Sequence, residues 1–88
     1  MKDIDPTLTY DAVAAVTGPR QRDYAHPRLN FERIAQLWTP ILGVNITPEH
    51  VALCMIQVKI ARELHRHTRD NLVDLIGYTL TLDACRED

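Results

Sequence analysis

The stretch from residue 48 to residue 67 constrains the fold more than any other part of the chain. Thr47-Pro48-Glu49 supplies a hydroxyl N-cap, a proline at the first helical position and a carboxylate in the first turn, a combination that starts a helix. The apolar residues that follow wrap nearly the whole circumference of a helical wheel, which is typical of a helix packed on most sides. The sequence therefore predicts a central helix over 48–67 with the rest of the chain around it.

Glycine and proline divide the rest of the chain into three further helical stretches and one basic loop. Asn30 is the predicted N-cap of the second helix. Gly77 lies inside the last helix, where we expect a neighbouring helix to pack closely against it. The 88 residues are therefore predicted to form a single all-α domain, a compact bundle of about four helices. The predicted ranges are 6–17, 31–42, 48–67 and 70–84 for the helices and 18–30 for the loop.

Size and charge limit the partners that such a domain can have. A chain of 88 residues with 45% hydrophobic residues has a marginal core, so we expect a homo-oligomer. The formal net charge of −2 argues against general DNA binding. No apolar stretch approaches the roughly 18 residues that a membrane span needs, and Met1 to Pro6 lack a signal-peptide pattern. Cys54 and Cys85 are expected to be reduced thiols, with Cys54 buried in its apolar helix.

A charged cluster is the most informative feature for function. Lys59 and Arg62 share one side of the central helix, and Asp70 and Asp74 lie one turn apart on the next helix. Half-buried cations need carboxylate partners, so one interpretation is an ion-pair network between helices. In the other, Asp70, Asp74 and Glu32 supply oxygen ligands for Mg²⁺ while Lys59 and Arg62 hold phosphates. The sequence leaves both open.

The loop over 18–30 offers a second group of candidate ligand-binding residues. Tyr24 lies among Arg22, His26 and Arg28, a mixture that can stack a base and hold phosphate or sugar oxygens. The alternatives are a turn role for His26 and core packing for the aromatic ring. His65 and His67 have the wrong spacing for a shared metal on a helix, which favours a solvated pair.

Five segments of the chain form a specific pattern. They are Arg22-Asp23-Tyr24-Ala25-His26-Pro27, Asn30 to Trp38 (NFERIAQLW), Ile46 to Ala52 (ITPEHVA), Lys59-Ile60-Ala61-Arg62, and Asp70 to Asp74 with Gly77-Tyr78. Together these segments resemble a family of small phage and prophage proteins of unknown function. Ala25 stands where that family tends to have glycine, and His50 stands where it tends to have an acid. The resemblance implies an all-α viral protein in the cytoplasm of a bacterial host cell.

Members of that family are sometimes labelled MazG-like, after nucleotide pyrophosphohydrolases that use Mg²⁺ held by carboxylates. The label implies a nucleotide-binding protein and a Mg²⁺-dependent enzyme, although this chain lacks the double-glutamate cluster of the MazG pattern. Three hypotheses follow from the sequence. The chain is a nucleotide pyrophosphohydrolase-like enzyme, a non-catalytic protein that binds a nucleotide signal to counter host defence, or a module that binds a host protein.

Overall fold

The computed structural model describes residues 1–18 and 26–86 and contains four α-helices in them, with no strand in these ranges. The all-α prediction is therefore confirmed. The helices are α1 (Thr7–Thr17), α2 (Pro27–Leu42), α3 (Pro48–His65) and α4 (Arg69–Ala84).

Side-chain caps explain why the helix ends differ from the predicted ones. The backbone N–H of Arg28 donates to Nδ1 of His26, and Pro27 occupies the first helical position. Because this cap precedes the predicted one, α2 begins four residues earlier than expected, and Asn30 lies inside the helix. Residues 27–30 of the predicted loop are therefore helical.

The turn between α3 and α4 also differs from the predicted one, since it covers residues 66–68 instead of 68–69. Thr68 caps α4 by accepting a hydrogen bond from the backbone N–H of Asn71 at 3.2 Å. This cap requires extended backbone at Thr68, and Arg66 is extended as well. As a result α3 ends at His65 rather than at residue 67, and α4 begins at Arg69. The short turn folds α3 and α4 into a helical hairpin.

The helix at the centre of the fold is α4, not α3. It packs against each of the other three helices, and its pairing with α3 is the most extensive. Gly77 is buried where α1 crosses α4, and a Cβ at that position would lie 3.4 Å from Cγ1 of Val16. The close packing expected at Gly77 is therefore present. Because α1 packs on α4, apolar side chains of α3 remain exposed, so the predicted packing of α3 on most sides is wrong.

The main core lies where α2, the start of α3 and the end of α4 meet. Its buried residues include Phe31, Val51 and Cys85, and the rings of Phe31 and Tyr78 lie 6.3 Å apart. The expectation for Cys54 is wrong, since this residue is exposed on α3. Cys85 is the buried thiol because it follows α4 directly into the core, and this burial raises its pKa.

The described parts of the chain hold no helix with the length and apolar character that crossing a bilayer requires.

Candidate functional site

A groove runs along the hairpin that α3 and α4 form. It is largely open to solvent, has a volume of about 730 Å³, and contains all four members of the predicted charged cluster. Lys59 and Arg62 are three residues apart on one face of α3. Arg66, in the extended backbone just after the helix, also lines the groove. The lining residues are Val58, Lys59, Ala61, Arg62, His65, Arg66, Thr68, Asp70, Asn71 and Asp74.

One pair in the groove matches the interpretation of a structural ion pair. Nζ of Lys59 lies 2.8 Å from Oδ2 of Asp74, and the side chains are 12% and 31% exposed. A lysine so deeply placed needs a charged partner, because an unpaired ammonium in this position loses most of its hydration. Asp74 therefore links α4 to α3 at the floor of the groove.

The two remaining members of the charged cluster, Arg62 and Asp70, are exposed. Within the described part of the chain, neither forms an ion pair or a side-chain hydrogen bond. Lys59, Arg62 and Arg66 bring three positive charges to the groove, against two negative charges from the aspartates. The groove is thus locally cationic in a chain whose net charge is −2.

Glu32 does not join Asp70 and Asp74. Its Oε1 lies 3.1 Å from Nε of Arg28, and it is close enough to Cys85 to affect the pKa of that thiol. Cys85 follows the last residue of α4, whereas Asp70 is in the first turn, a separation of about 22 Å along the helix. Across residues 1–18 and 26–86, no group of three His, Cys, Asp or Glu side chains is placed to hold a metal ion. The predicted three-carboxylate Mg²⁺ set is therefore not assembled.

Two of the four candidate ligand-binding residues from the loop lie within the described part of the chain. Arg22 and Tyr24 lie outside the described residues. His26 and Arg28 are at the start of α2, where His26 caps the helix and Arg28 pairs with Glu32. Neither of these two lines the groove.

A polar network that was not predicted from the sequence shapes the turn at one end of the groove. The Glu63 carboxylate is bonded to Nδ1 of His67 and accepts a hydrogen bond from Nδ2 of Asn71 at 3.1 Å. Asn71 is buried, and its amide also donates to the carbonyl of Arg66. The bonds from His67 and then Asn71 hold the pKa of the Glu63 carboxyl below its ordinary value. The signal for this network was the four-residue spacing of Glu63 and His67.

A second polar contact holds α1 against the same turn. Nη1 of Arg69 lies 2.7 Å from Oδ2 of Asp11, and its other terminal nitrogen donates to the Thr7 hydroxyl. The start of α4 is thereby fixed to both α1 and α3, which keeps the acidic wall of the groove in place.

Comparison of the sequence with known proteins relates this chain to phage proteins. The family described as Domain of unknown function (DUF6378) matches residues 7–86. The Gene 55 protein of Mycobacterium phage L5 is 43% identical over 70 residues, which cover 77% of this chain and 45% of that protein. The Gene 55 protein of Mycobacterium phage D29 is 35% identical over 83 residues, covering 93% and 55%.

The chain thus spans about half the length of these relatives. No solved structure matches it significantly. The expected resemblance to a phage family of unknown function is confirmed.

Proposed function

We propose that this chain, which belongs to the family described as Domain of unknown function (DUF6378), binds a phosphate-bearing ligand of the nucleotide class in the groove between α3 and α4. The observation that carries the proposal is Arg62: an exposed guanidinium with no acidic partner among the described residues, beside a lysine that is already paired. A guanidinium in this position is free to take a phosphate by two parallel hydrogen bonds.

The neighbours of Arg62 support an anionic ligand. Arg66, in the extended backbone just after α3, also lines the groove, and His65 adds a ring nitrogen at the groove wall. Lys59 is held by Asp74, so its ammonium is fixed in position beside Arg62. A chain of phosphates that extends from Arg62 along the groove can also contact Arg66.

The groove also has room and apolar surface for the rest of a nucleotide. Its volume of about 730 Å³ is within the range of small-molecule sites. Val58 and Ala61 form an apolar part of the wall, against which a sugar or base can pack. Asp70, exposed in the first turn of α4, is an acceptor that can receive a hydroxyl or amino hydrogen of the ligand.

A binding measurement with matched arginine variants tests the proposal. Nucleoside triphosphates, and inorganic triphosphate as the probe for phosphate alone, are titrated into the protein with and without Mg²⁺ at two salt concentrations. We expect a raised melting temperature with nucleotide and weaker binding at high salt. Arg62→Ala should weaken binding roughly tenfold or more.

Arg33→Ala is the control, because Arg33 is an exposed arginine of α2 outside the groove. An equal loss in the Arg33 and Arg62 variants would contradict the proposal, as would the absence of any effect of nucleotide or triphosphate on the wild type. Mass spectrometry of the recovered nucleotide separates binding from hydrolysis. Binding alone returns the intact triphosphate, whereas a pyrophosphohydrolase returns a monophosphate and pyrophosphate.

A further inference from the structure

The face of α3 that lies away from the groove is apolar and exposed. Leu53, Ile60 and Leu64 lie on it, and Leu64 is 84% exposed. Gln57 completes the row, so the four positions follow each other at intervals of four, three and four residues. We call this row the α3 seam. This spacing is that of the a and d positions through which two helices pair side by side.

No residue of the α3 seam carries a charge. A seam of three aliphatic residues and one amide can pair with an identical seam, since it needs no complementary charges on its partner. Gln57 can meet the amide of its copy across the interface, as polar residues at single a positions do in paired helices. The seam is thus self-complementary.

The surface area of the chain also fits a second copy. The chain exposes 6558 Å², whereas a compact monomer of 10.1 kDa is expected to expose about 5,300 Å². The excess of roughly 1,300 Å² exceeds the approximately 800 Å² that each partner loses in a standard interface. Part of this excess belongs to the exposed residues before α1, such as Met1 and Ile4, and the α3 seam contributes another part.

The core of the single chain is small as well. Among the described residues, Val51 is the largest side chain that is fully buried, and Ala12, Ala35 and Ala52 make up much of the remainder. We propose that two copies of this chain associate along the α3 seam about a two-fold axis parallel to the helices, so that Gln57 and Ile60 each meet their own copies. This interface lies on a different face of α3 from the groove, so it does not depend on nucleotide binding.

Sedimentation of the purified chain and of two matched variants tests the interface. Ile60 and Val58 belong to the same helix and are 39% and 38% exposed, but they point to opposite faces. We expect the wild type to sediment at twice the mass of one chain. Ile60→Glu should weaken self-association by roughly tenfold or more, because it places two carboxylates against each other in an apolar seam. Val58→Glu should leave self-association unchanged.

Two further measurements test the interface even if the Ile60 variant fails to fold. The melting temperature of the wild type should rise with protein concentration, as it does when association stabilises the fold. Gln57→Leu should tighten the dimer, because it makes the seam fully apolar. A wild type that remains monomeric with a concentration-independent melting temperature would overturn the proposal. So would equal weakening by the Ile60 and Val58 variants, or a Gln57 variant that dissociates.

Discussion

Lys59 of α3 and Asp74 of α4 form an ion pair at 2.8 Å whose lysine is only 12% exposed. The pair links the two helices that form the candidate site, and it lies beside an arginine, Arg62, that has no such partner in the described residues. The charged cluster therefore has two parts: one that fixes the hairpin and one that remains available to a ligand.

A double-mutant cycle measures the structural part. Asp74→Asn should lower the free energy of unfolding by about 1–2 kcal/mol, because it removes the counter-charge of a poorly hydrated ammonium. Lys59→Met in the Asp74→Asn background should recover part of this loss, since the apolar side chain has no charge to solvate. Urea unfolding of the four proteins gives the coupling energy. A coupling of zero would mean that the pair does not contribute to stability.

The sequence predicted this pairing because helical spacing fixes which residues share a face. Lys59 and Arg62 are three residues apart, Asp70 and Asp74 are four apart, and a short turn brings the two faces together. The same spacing placed Glu32 on α2 without indicating at which end of the bundle it would lie. Whether residues on separate helices come together depends on how the whole helices pack. The spacing of residues within one helix carries no information about that packing.

The wrong prediction that α3 is the central helix has a related cause. Apolar residues around the circumference of α3 indicate that its faces are covered, but not by what. In the structure α1 packs against α4 at Gly77 and Val16, so that Leu53, Ile60 and Leu64 are left exposed. Covering these residues with a second chain would reconcile the apolar pattern with the fold.

Acid should weaken the turn between α3 and α4 through Glu63. Its hydrogen bonds with His67 and Asn71 lower the pKa of the carboxyl in the folded state below the ordinary value of 4.5. The folded state therefore binds fewer protons than the unfolded state. The stabilisation is fully present above pH 4.5 and is lost as the pH falls through the folded-state pKa.

This pH dependence is measured as the difference in melting temperature between the wild type and Glu63→Gln. The difference should shrink as the pH falls below 4.5. Asp5, whose pKa is lowered by its hydrogen bonds from Thr7, titrates in both proteins and cancels in the comparison. A difference that does not change with pH would show that the Glu63 carboxylate has no special role in the turn.

Substitutions at Gly77 test the contact between α1 and α4. A Cβ at this position would meet Cγ1 of Val16 at 3.4 Å, which is an ordinary van der Waals distance. Gly77→Ala should therefore stabilise the protein by up to about 1 kcal/mol, because alanine favours the helix more than glycine does. Gly77→Leu should destabilise it by about 1–3 kcal/mol, since the larger side chain must push α1 away from α4.

Thermal unfolding of both variants, with circular dichroism to measure helix content, distinguishes packing from helix propensity. If propensity alone mattered, leucine would stabilise the protein nearly as much as alanine does. Val16→Ala combined with Gly77→Leu should recover part of the lost stability, because it removes the methyl groups that face position 77. The control is Gly77→Leu combined with Val13→Ala, because Val13 is exposed. Recovery with Val16→Ala but not with Val13→Ala would assign the loss of stability to the packing of α1 on α4.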